Sequence, residues 1–201
     1  MKKIPTIYRR DPSNVARVTD ERNPDCEWVF AGEGTPTRKY DGTCVMYDGE
    51  QWWARREIKP GKTPPPGWQL VETDPNTGKS MGWEPITEQW QFWKPFRDAL
   101  APLEEFGWFT RLPMPAGTFE LIGPKINGNP ERLERHRLER HSTADLVALM
   151  DEDGNDVPNP DPRSLIELCR QRGWEGVVWH HPDGRMGKLK VRDYPDEATP
   201  A

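Results

Sequence analysis

Ten tryptophans stand in a chain otherwise poor in core-forming residues, and they decide whether it can fold. Hydrophobic residues make up 34% of the 201 positions against 30% charged, and the mean hydropathy is −0.93. That balance alone belongs to chains that cannot bury enough apolar surface to offset the entropy of ordering. An aromatic side chain buries on the order of 150–250 Å², so the expected core is largely aromatic. At this length one well-buried domain with at most a small appendage is expected.

Charge and cysteine usage remove several classes of function. A formal charge of −5 and a pI near 5.5 argue against coating nucleic acid by bulk electrostatics, while leaving room for a local basic channel. Cys26, Cys44 and Cys169 are odd in number and lack CxxC pairing, so neither a disulfide framework nor a zinc site is indicated. Met1-Lys2-Lys3-Ile4-Pro5 lacks the apolar run of a signal peptide, and no stretch has membrane-spanning length. A soluble cytoplasmic protein with no membrane partner is expected.

Glycine and proline punctuate the chain and divide it into short elements. Residues 1–27 are polar and arginine-rich and read as a loose arm with one short strand. From Trp28 to Ile58, β-branched and aromatic residues recur between Gly-containing turns, with Thr43 to Tyr47 and Gln51 to Arg56 forming a hairpin across Asp48-Gly49-Glu50. The Pro- and Gly-dense stretch 59–85 reads as an ordered surface insertion pinned by Trp68 and Trp83. Residues 88–101 carry apolar positions for a helix that Pro95 limits or kinks. Gly117 to Gly123 reads as a buried strand, and Asn129-Pro130 as the start of a helix running into the charged segment 131–141. Pro162 to Arg172 fits an amphipathic helix ended by Gly173. Trp174 to Trp179 and Met186 to Val191 then form a closing hairpin around Pro182-Asp183-Gly184. The expected organisation is a single domain over 1–193 with an N-terminal arm and a disordered tail over 194–201.

The chemistry centres on Lys39-Tyr40-Asp41-Gly42-Thr43. A lysine attacks only when neutral, and neighbouring cations or desolvation help it lose its proton; Arg38 is adjacent in sequence. By itself the run is a turn signal, and chance places some KxDG in roughly one chain in twenty-five of this length. Three further strings alter that weighing. Glu120, on a strand next to Gly123, can direct a carboxylate at a ribose or at metal-bound water. Glu175 precedes a β-branched strand, where a carboxylate at the lip of a pocket suits phosphoryl chemistry. Lys188 and Lys190 lie two apart, so on a strand they share a face and suit contacts to phosphate oxygens. Arg55 is a further candidate clamp, with Arg56 facing the opposite way.

Taken together, Lys39-Tyr40-Asp41-Gly42-Thr43-Cys44, Trp53-Ala54-Arg55, Glu120-Leu121-Ile122-Gly123, Asn127-Gly128-Asn129-Pro130 and Glu175-Gly176-Val177-Val178-Trp179-His180 resemble the ordered motifs of the covalent lysine nucleotidyltransferases. Within that superfamily they are most similar to a small RNA ligase family that includes a vertebrate 5′-to-3′ RNA ligase. The resemblance implies an α+β nucleotidyltransferase domain, ATP-grasp-like, with two antiparallel sheets and flanking helices. It implies ATP as co-substrate, Mg²⁺ or Mn²⁺, and RNA with 5′-phosphate and 3′-hydroxyl ends as partner. Lys39 would form the lysyl-adenylate. Arg38, Asp41, Gly42, Arg55, Glu120, Lys188 and Lys190 would bind nucleotide, and Glu120, Glu175 and Asp41 would serve the metal, in part through water. No separate oligonucleotide-binding domain is expected, and the chain reads as a monomeric, minimal catalytic domain. Trp179, Trp53 and the Trp90 to Trp93 cluster are the aromatic candidates for stacking on adenine. A DNA ligase, a capping-type guanylyltransferase and a non-catalytic nucleotide- or RNA-binding protein of the same fold are the alternatives.

Other chemistry-like strings are decoys. Asp151 to Asp156 lacks the glycine of a calcium loop, Gly78-Lys79-Ser80 lacks the first glycine of a P-loop, and His180 and His181 point to opposite faces of a strand. Residues 131–141 read as a salt-bridged solvated helix rather than an RNA-binding face.

Overall fold

The computed structural model describes residues 2–105, 114–148, 153, 155, 157 and 161–194. In chain order its strands are β1 (Tyr8–Arg10), β2 (Val18–Arg22), β3 (Thr35–Lys39), β4 (Thr43–Tyr47), β5 (Trp52–Ile58), β6 (Gln69–Thr73), β7 (Ser80–Pro85), β8 (Gly117–Ile122), β9 (Arg137–Arg140), β10 (Gly176–His180) and β11 (Met186–Lys190). Its helices are α1 (Glu27–Phe30), α2 (Trp93–Glu105) and α3 (Pro162–Arg172). All sheet pairings between these strands are antiparallel, and the class is α+β, as the resemblance implied. The two expected sheets are a six-stranded one, ordered β6-β7-β5-β4-β8-β9, and a three-stranded one, ordered β11-β10-β3, with β1-β2 as a further ribbon. The described residues form two compact units, one from 4–40 and 144–194, the other from 2–3 and 41–143.

The 41–143 unit is built on the six-stranded sheet. Tyr47, Trp52, Ala54, Val45, Phe119 and Leu121 alternate onto one face, where they pack with Trp90, Phe96, Ala99 and Leu100 from α2 and the turn before it. Trp52 meets both Phe96 and Phe119 at ring-centroid distances of 5.2 Å, an aromatic core of the kind the composition demands. Because strand side chains alternate, the opposite face carries Cys44, Met46, Trp53, Arg55, Trp83, Thr118 and Glu120; Met46 pairs with Trp53 and Thr118, Arg55 with Trp83, and Cys44 with Glu120. This face carries two of the sequence candidates, Arg55 and Glu120.

The other unit packs α3 against the three-stranded sheet. Val177, Trp179 and Leu189 point into a core with Leu165, Ile166 and Cys169. The α3 boundaries match the sequence reading because every local signal agrees. Asp161 caps the start by accepting from the Arg163 N–H, Pro162 fills the first turn, and Gly173 ends the helix in the left-handed conformation. The hairpin of β10 and β11 also lies where expected, as does the β4–β5 hairpin.

Four expectations change. The 1–27 stretch is not a loose arm: Ile7, Tyr8, Val18 and Cys26 are buried in the α3 core, and the Ile7 N–H and Pro5 carbonyl bond the backbone of Lys188. Its strands are too short to show a period in the sequence. The 59–85 stretch is not only an insertion, because β7 pairs with β5 from Trp53↔Pro85 to Ile58↔Ser80, and Trp68 lies where a side chain on Gly82 would stand. The α2 helix begins at Trp93, five residues later than read, which puts Pro95 in the first turn where its missing N–H costs nothing. Residues 131–141 form no α-helix. Left-handed Asn127, Asn129 and Arg132 turn the chain, and β9 then joins the sheet beside β8. Of the expected tail, residues 195–201 lie outside the described residues.

Leu121 is fully buried between the sheet and α2. Leu121→Ala is expected to lower the unfolding free energy by about 2–5 kcal/mol, read as a lower urea midpoint at unchanged slope.

Candidate active site

Register in the three-stranded sheet gathers the lysines. Gly176 in β10 pairs with Lys39 of β3 on one side and with Lys190 of β11 on the other, and Val178 pairs with Lys188. Lys39, Lys188 and Lys190 therefore share the face opposite the Val177, Trp179 and Leu189 core. Glu175, one residue before Gly176, carries the carboxylate that joins them. Its Oε2 accepts from Lys39 Nζ at 2.5 Å, and its Oε1 accepts from Lys190 Nζ. The Glu175 side chain is 7% exposed, and those of Lys39 and Lys190 are 19% and 14% exposed. Burial pushes the Glu175 carboxyl upward, but the ammonium groups of Lys39 and Lys190 outweigh it and hold the group below its ordinary range.

The glycine in this motif has a steric cause. A Cβ on Gly176 would stand 2.1 Å from the Leu189 carbonyl oxygen and 2.8 Å from Lys190 Cα. Only glycine lets β10 and β11 close beside the lysines.

Arg38 does not join this set. It occupies the alternate face of β3, paired with Val177, with its guanidinium 4.5 Å from the Tyr40 ring centre, 4.7 Å from that of Trp174 and 3.8 Å from Asp145. Tyr40 itself is buried and donates to Asp145 at 2.8 Å. Adjacency in sequence had suggested a cation next to Lys39; the alternation of a strand turns it away.

The remaining sequence candidates lie in the 41–143 unit. Glu120 is buried on the polar face of the six-stranded sheet. Its Oε1 accepts from the Gly42 N–H at 3.2 Å, and its Oε2 lies 3.0 Å from His141 Nε2. His141 Nδ1 is in turn 2.9 Å from Thr118 Oγ1. Gly42 is sterically required, since a Cβ there would stand 2.3 Å from the Leu121 carbonyl oxygen. Asp41 is held by Asn127, whose Nδ2 donates to Asp41 Oδ1 at 3.0 Å and to the Gly42 carbonyl at 2.7 Å. The Asp41 N–H donates to Glu131 at 3.1 Å. Arg55 shares the Glu120 face, and its Nε is buried without a hydrogen-bond partner among the described residues, which leaves a donor for a ligand to satisfy.

Three groups here were not singled out in the sequence. His141 and Thr118 orient Glu120, and Asn127 orients Asp41 and Gly42; Asn127 appeared only as part of a motif string. Of the aromatic candidates, Trp179 lies in the α3 core and Trp90 in the α2 core. Trp53 shares the face of Arg55, with Nε1 donating to Asp48 at 2.7 Å. His180 and His181 diverge as expected, the first to Thr37 and the second to Glu33. Arg140, in the charged 131–141 stretch, donates to the carbonyls of Pro115 and Ala116.

No family model matches the chain. It is 26% identical to the proteins named RNA ligase 1 of Rattus norvegicus and of Mus musculus, in each case over 76% of this chain. The chain spans about two-thirds of their length, 65% and 64%. Among solved structures it is similar to a point mutant of a Naegleria gruberi RNA ligase with ATP and Mn, at 14% identity and a TM-score of 0.44, over 92% of this chain and 59% of that one. The resemblance to an RNA ligase family read from the motifs is thus borne out by relatives that carry that name. Among the described residues, no helix is long and apolar enough to cross a membrane, and the three cysteines form no disulfide.

Because the Glu175 carboxyl titrates below its unfolded value, its stabilisation is complete above the ordinary glutamate value of about 4.3 and is lost as pH falls through the depressed folded value. Glu175→Gln is expected to flatten the acid limb of the stability–pH curve below that value. Glu175→Ala, which leaves two lysines without their carboxylate, is expected to cost about 3–5 kcal/mol at neutral pH, read by denaturant unfolding.

Proposed function

We propose that the chain is an ATP-dependent RNA ligase that joins a 5′-phosphate to a 3′-hydroxyl through a lysyl-adenylate on Lys39. The observation that carries this reading is the convergence of Lys39 and Lys190 on one buried carboxylate, Glu175, with Lys188 on the same strand face. A purely structural carboxylate does not need two lysines, and a solvated strand edge does not need a buried glutamate. Three lysines on one sheet face suit the oxygens of a triphosphate.

In this account the Lys39 amine attacks the α-phosphorus of ATP, the N–P bond forms, and the bond to pyrophosphate breaks. The lysine proton must leave for this attack, and Glu175 Oε2 is a carboxylate oxygen already in contact with it. Once adenylylated, the Lys39 nitrogen no longer carries the ammonium charge that Glu175 balances. The adenylyl group passes to an RNA 5′-phosphate, and attack by a 3′-hydroxyl joins the strands and releases AMP. Lys188 and Lys190 contact phosphate oxygens as charge develops on them. Arg55 contacts the nucleotide through its unsatisfied donor, and Gly42 and Asp41 form the turn that presents Lys39. Arg38, stacked on Tyr40 and Trp174, supports that turn from behind rather than touching the lysine.

The donor set fits a hard divalent cation, Mg²⁺ or Mn²⁺, because it consists of carboxylate oxygens that retain lone pairs beyond their present hydrogen bonds. Within the 41–143 unit Glu120 and Asp41 would hold the ion; in the other unit Glu175, both of whose oxygens hold a lysine, would serve a metal only through water. Such an ion would neutralise charge on the phosphates. We take residues 1–193 to act as one adenylation domain, working as a monomer in the cytoplasm.

A sealing assay tests this reading. RNA bearing 5′-phosphate and 3′-hydroxyl ends, ATP and a divalent metal should give joined product with the wild type and none with Lys39→Ala. Lys188→Ala should slow joining by about 10²-fold. Preference for DNA ends or for GTP would move the reading to a DNA ligase or a capping-type enzyme, and ATP binding without joining or adenylation would leave a binding protein.

A further inference from the structure

Cys44, Glu120 and His141 bring a thiol, a carboxylate and an imidazole together on the polar face of the six-stranded sheet. Their donor atoms all lie within 4.8 Å of one another. Cys44 and Glu120 are direct cross-strand partners in β4 and β8, and His141 follows β9, with Nε2 already 3.0 Å from Glu120 Oε2. A tetrahedral zinc with bonds of about 2.3 Å to sulfur and about 2.0–2.1 Å to nitrogen and oxygen holds its donors roughly 3.3–3.6 Å apart, so small side-chain rotations bring all three into range.

The outer contacts also have the form of a built site. A metal-binding histidine ordinarily fixes its other ring nitrogen on a polar partner, and Thr118 Oγ1 stands 2.9 Å from His141 Nδ1. Glu120 keeps Oε1 on the Gly42 N–H while Oε2 faces the histidine. The mixed sulfur, nitrogen and oxygen set disfavours Mg²⁺, which takes oxygen ligands in a strict octahedron, and favours a borderline-soft ion.

From this geometry we infer that Cys44, Glu120 and His141 form an inhibitory Zn²⁺ site. Binding releases the Cys44 thiol proton, ligates the resulting thiolate, and takes the Glu120 carboxylate away from its nucleotide and metal role. The inhibitory half rests on the adenylation reading above; the binding half does not. The fourth position of the tetrahedron is left to water, so the site is three-coordinate in protein ligands and reversible by chelation.

Cobalt(II), which takes the same ligands and reports thiolate ligation by its absorbance, is the probe. Titration of the full chain with Co²⁺ should give a thiolate-to-cobalt charge-transfer band that saturates at one equivalent and is bleached by Zn²⁺. Cys44→Ser should abolish the band although Cys26 and Cys169 remain, and His141→Gln should weaken Co²⁺ affinity by at least about tenfold. In a lysyl-adenylate assay with Mg²⁺, free Zn²⁺ should inhibit the wild type at least about tenfold more strongly than Cys44→Ser, which itself adenylates normally. Absence of the band, or its persistence in Cys44→Ser, overturns the site. A Cys44-dependent band with equal zinc sensitivity in both proteins overturns the inhibitory role. Failure of both proteins to adenylate under any metal removes the enzymatic reading and the inhibition with it, while the cobalt band still decides the site.

Discussion

A buried carboxylate shared by two lysines is the constraint around which the lysine-bearing unit is arranged. Taking Glu175 out of water is costly unless its charge is matched, and Lys39 and Lys190 match it from strands on either side of β10. That arrangement demands a particular register, Gly176 opposite both lysines, and a residue without a side chain at that register, since β11 passes too close for a Cβ. The α3 core beneath the sheet holds the register, and the backbone of Pro5 and Ile7 holds the β11 edge through Lys188. One ion-paired carboxylate thus ties the identity of a glycine, the order of three strands and the burial of an N-terminal segment to the position of Lys39.

The 41–143 unit solves a different problem with the same device of alternation. Its six-stranded sheet puts aromatic and aliphatic residues on the α2 side and reserves the other side for Cys44, Arg55, Thr118 and Glu120. A polar group on such a face must be satisfied locally, and Glu120 is satisfied twice, by Gly42 and by His141. Gly42 serves here as both a steric necessity and a donor. The motif around Lys39 is therefore specified from two directions: by pairing with Glu175 at its lysine, and by close approach to Leu121 and Glu120 at its glycine.

Much of this was legible in the sequence where local signals agreed. Asp161, Pro162 and Gly173 mark both ends of α3, and Asp48-Gly49 marks a hairpin, because capping and turn chemistry act within a few residues. The shared face of Lys188 and Lys190 followed from a period of two. What escaped depended on tertiary partners. Ile7, Tyr8, Val18 and Cys26 are too scattered to show a period, yet each is buried by elements far along the chain. Charged residues 131–141 read as a helix until the left-handed Asn127, Asn129 and Arg132 and the free edge of β8 are taken into account. Arg38 looked like a neighbour of Lys39 and is not, for the same alternation that united Lys188 and Lys190. His141 carried no motif at all; only the fold places it on Glu120.

The central claim is that Lys39, held by Glu175, is the group that becomes covalently loaded with AMP. Mass spectrometry of the intact protein after incubation with ATP and Mg²⁺ or Mn²⁺, followed by peptide mapping, tests it most directly. The account predicts a single AMP adduct on the peptide containing Lys39, absent from Lys39→Ala and lost on addition of pyrophosphate as the N–P bond reverses. No adduct under either metal, or an adduct that maps to another residue and survives in Lys39→Ala, would contradict it.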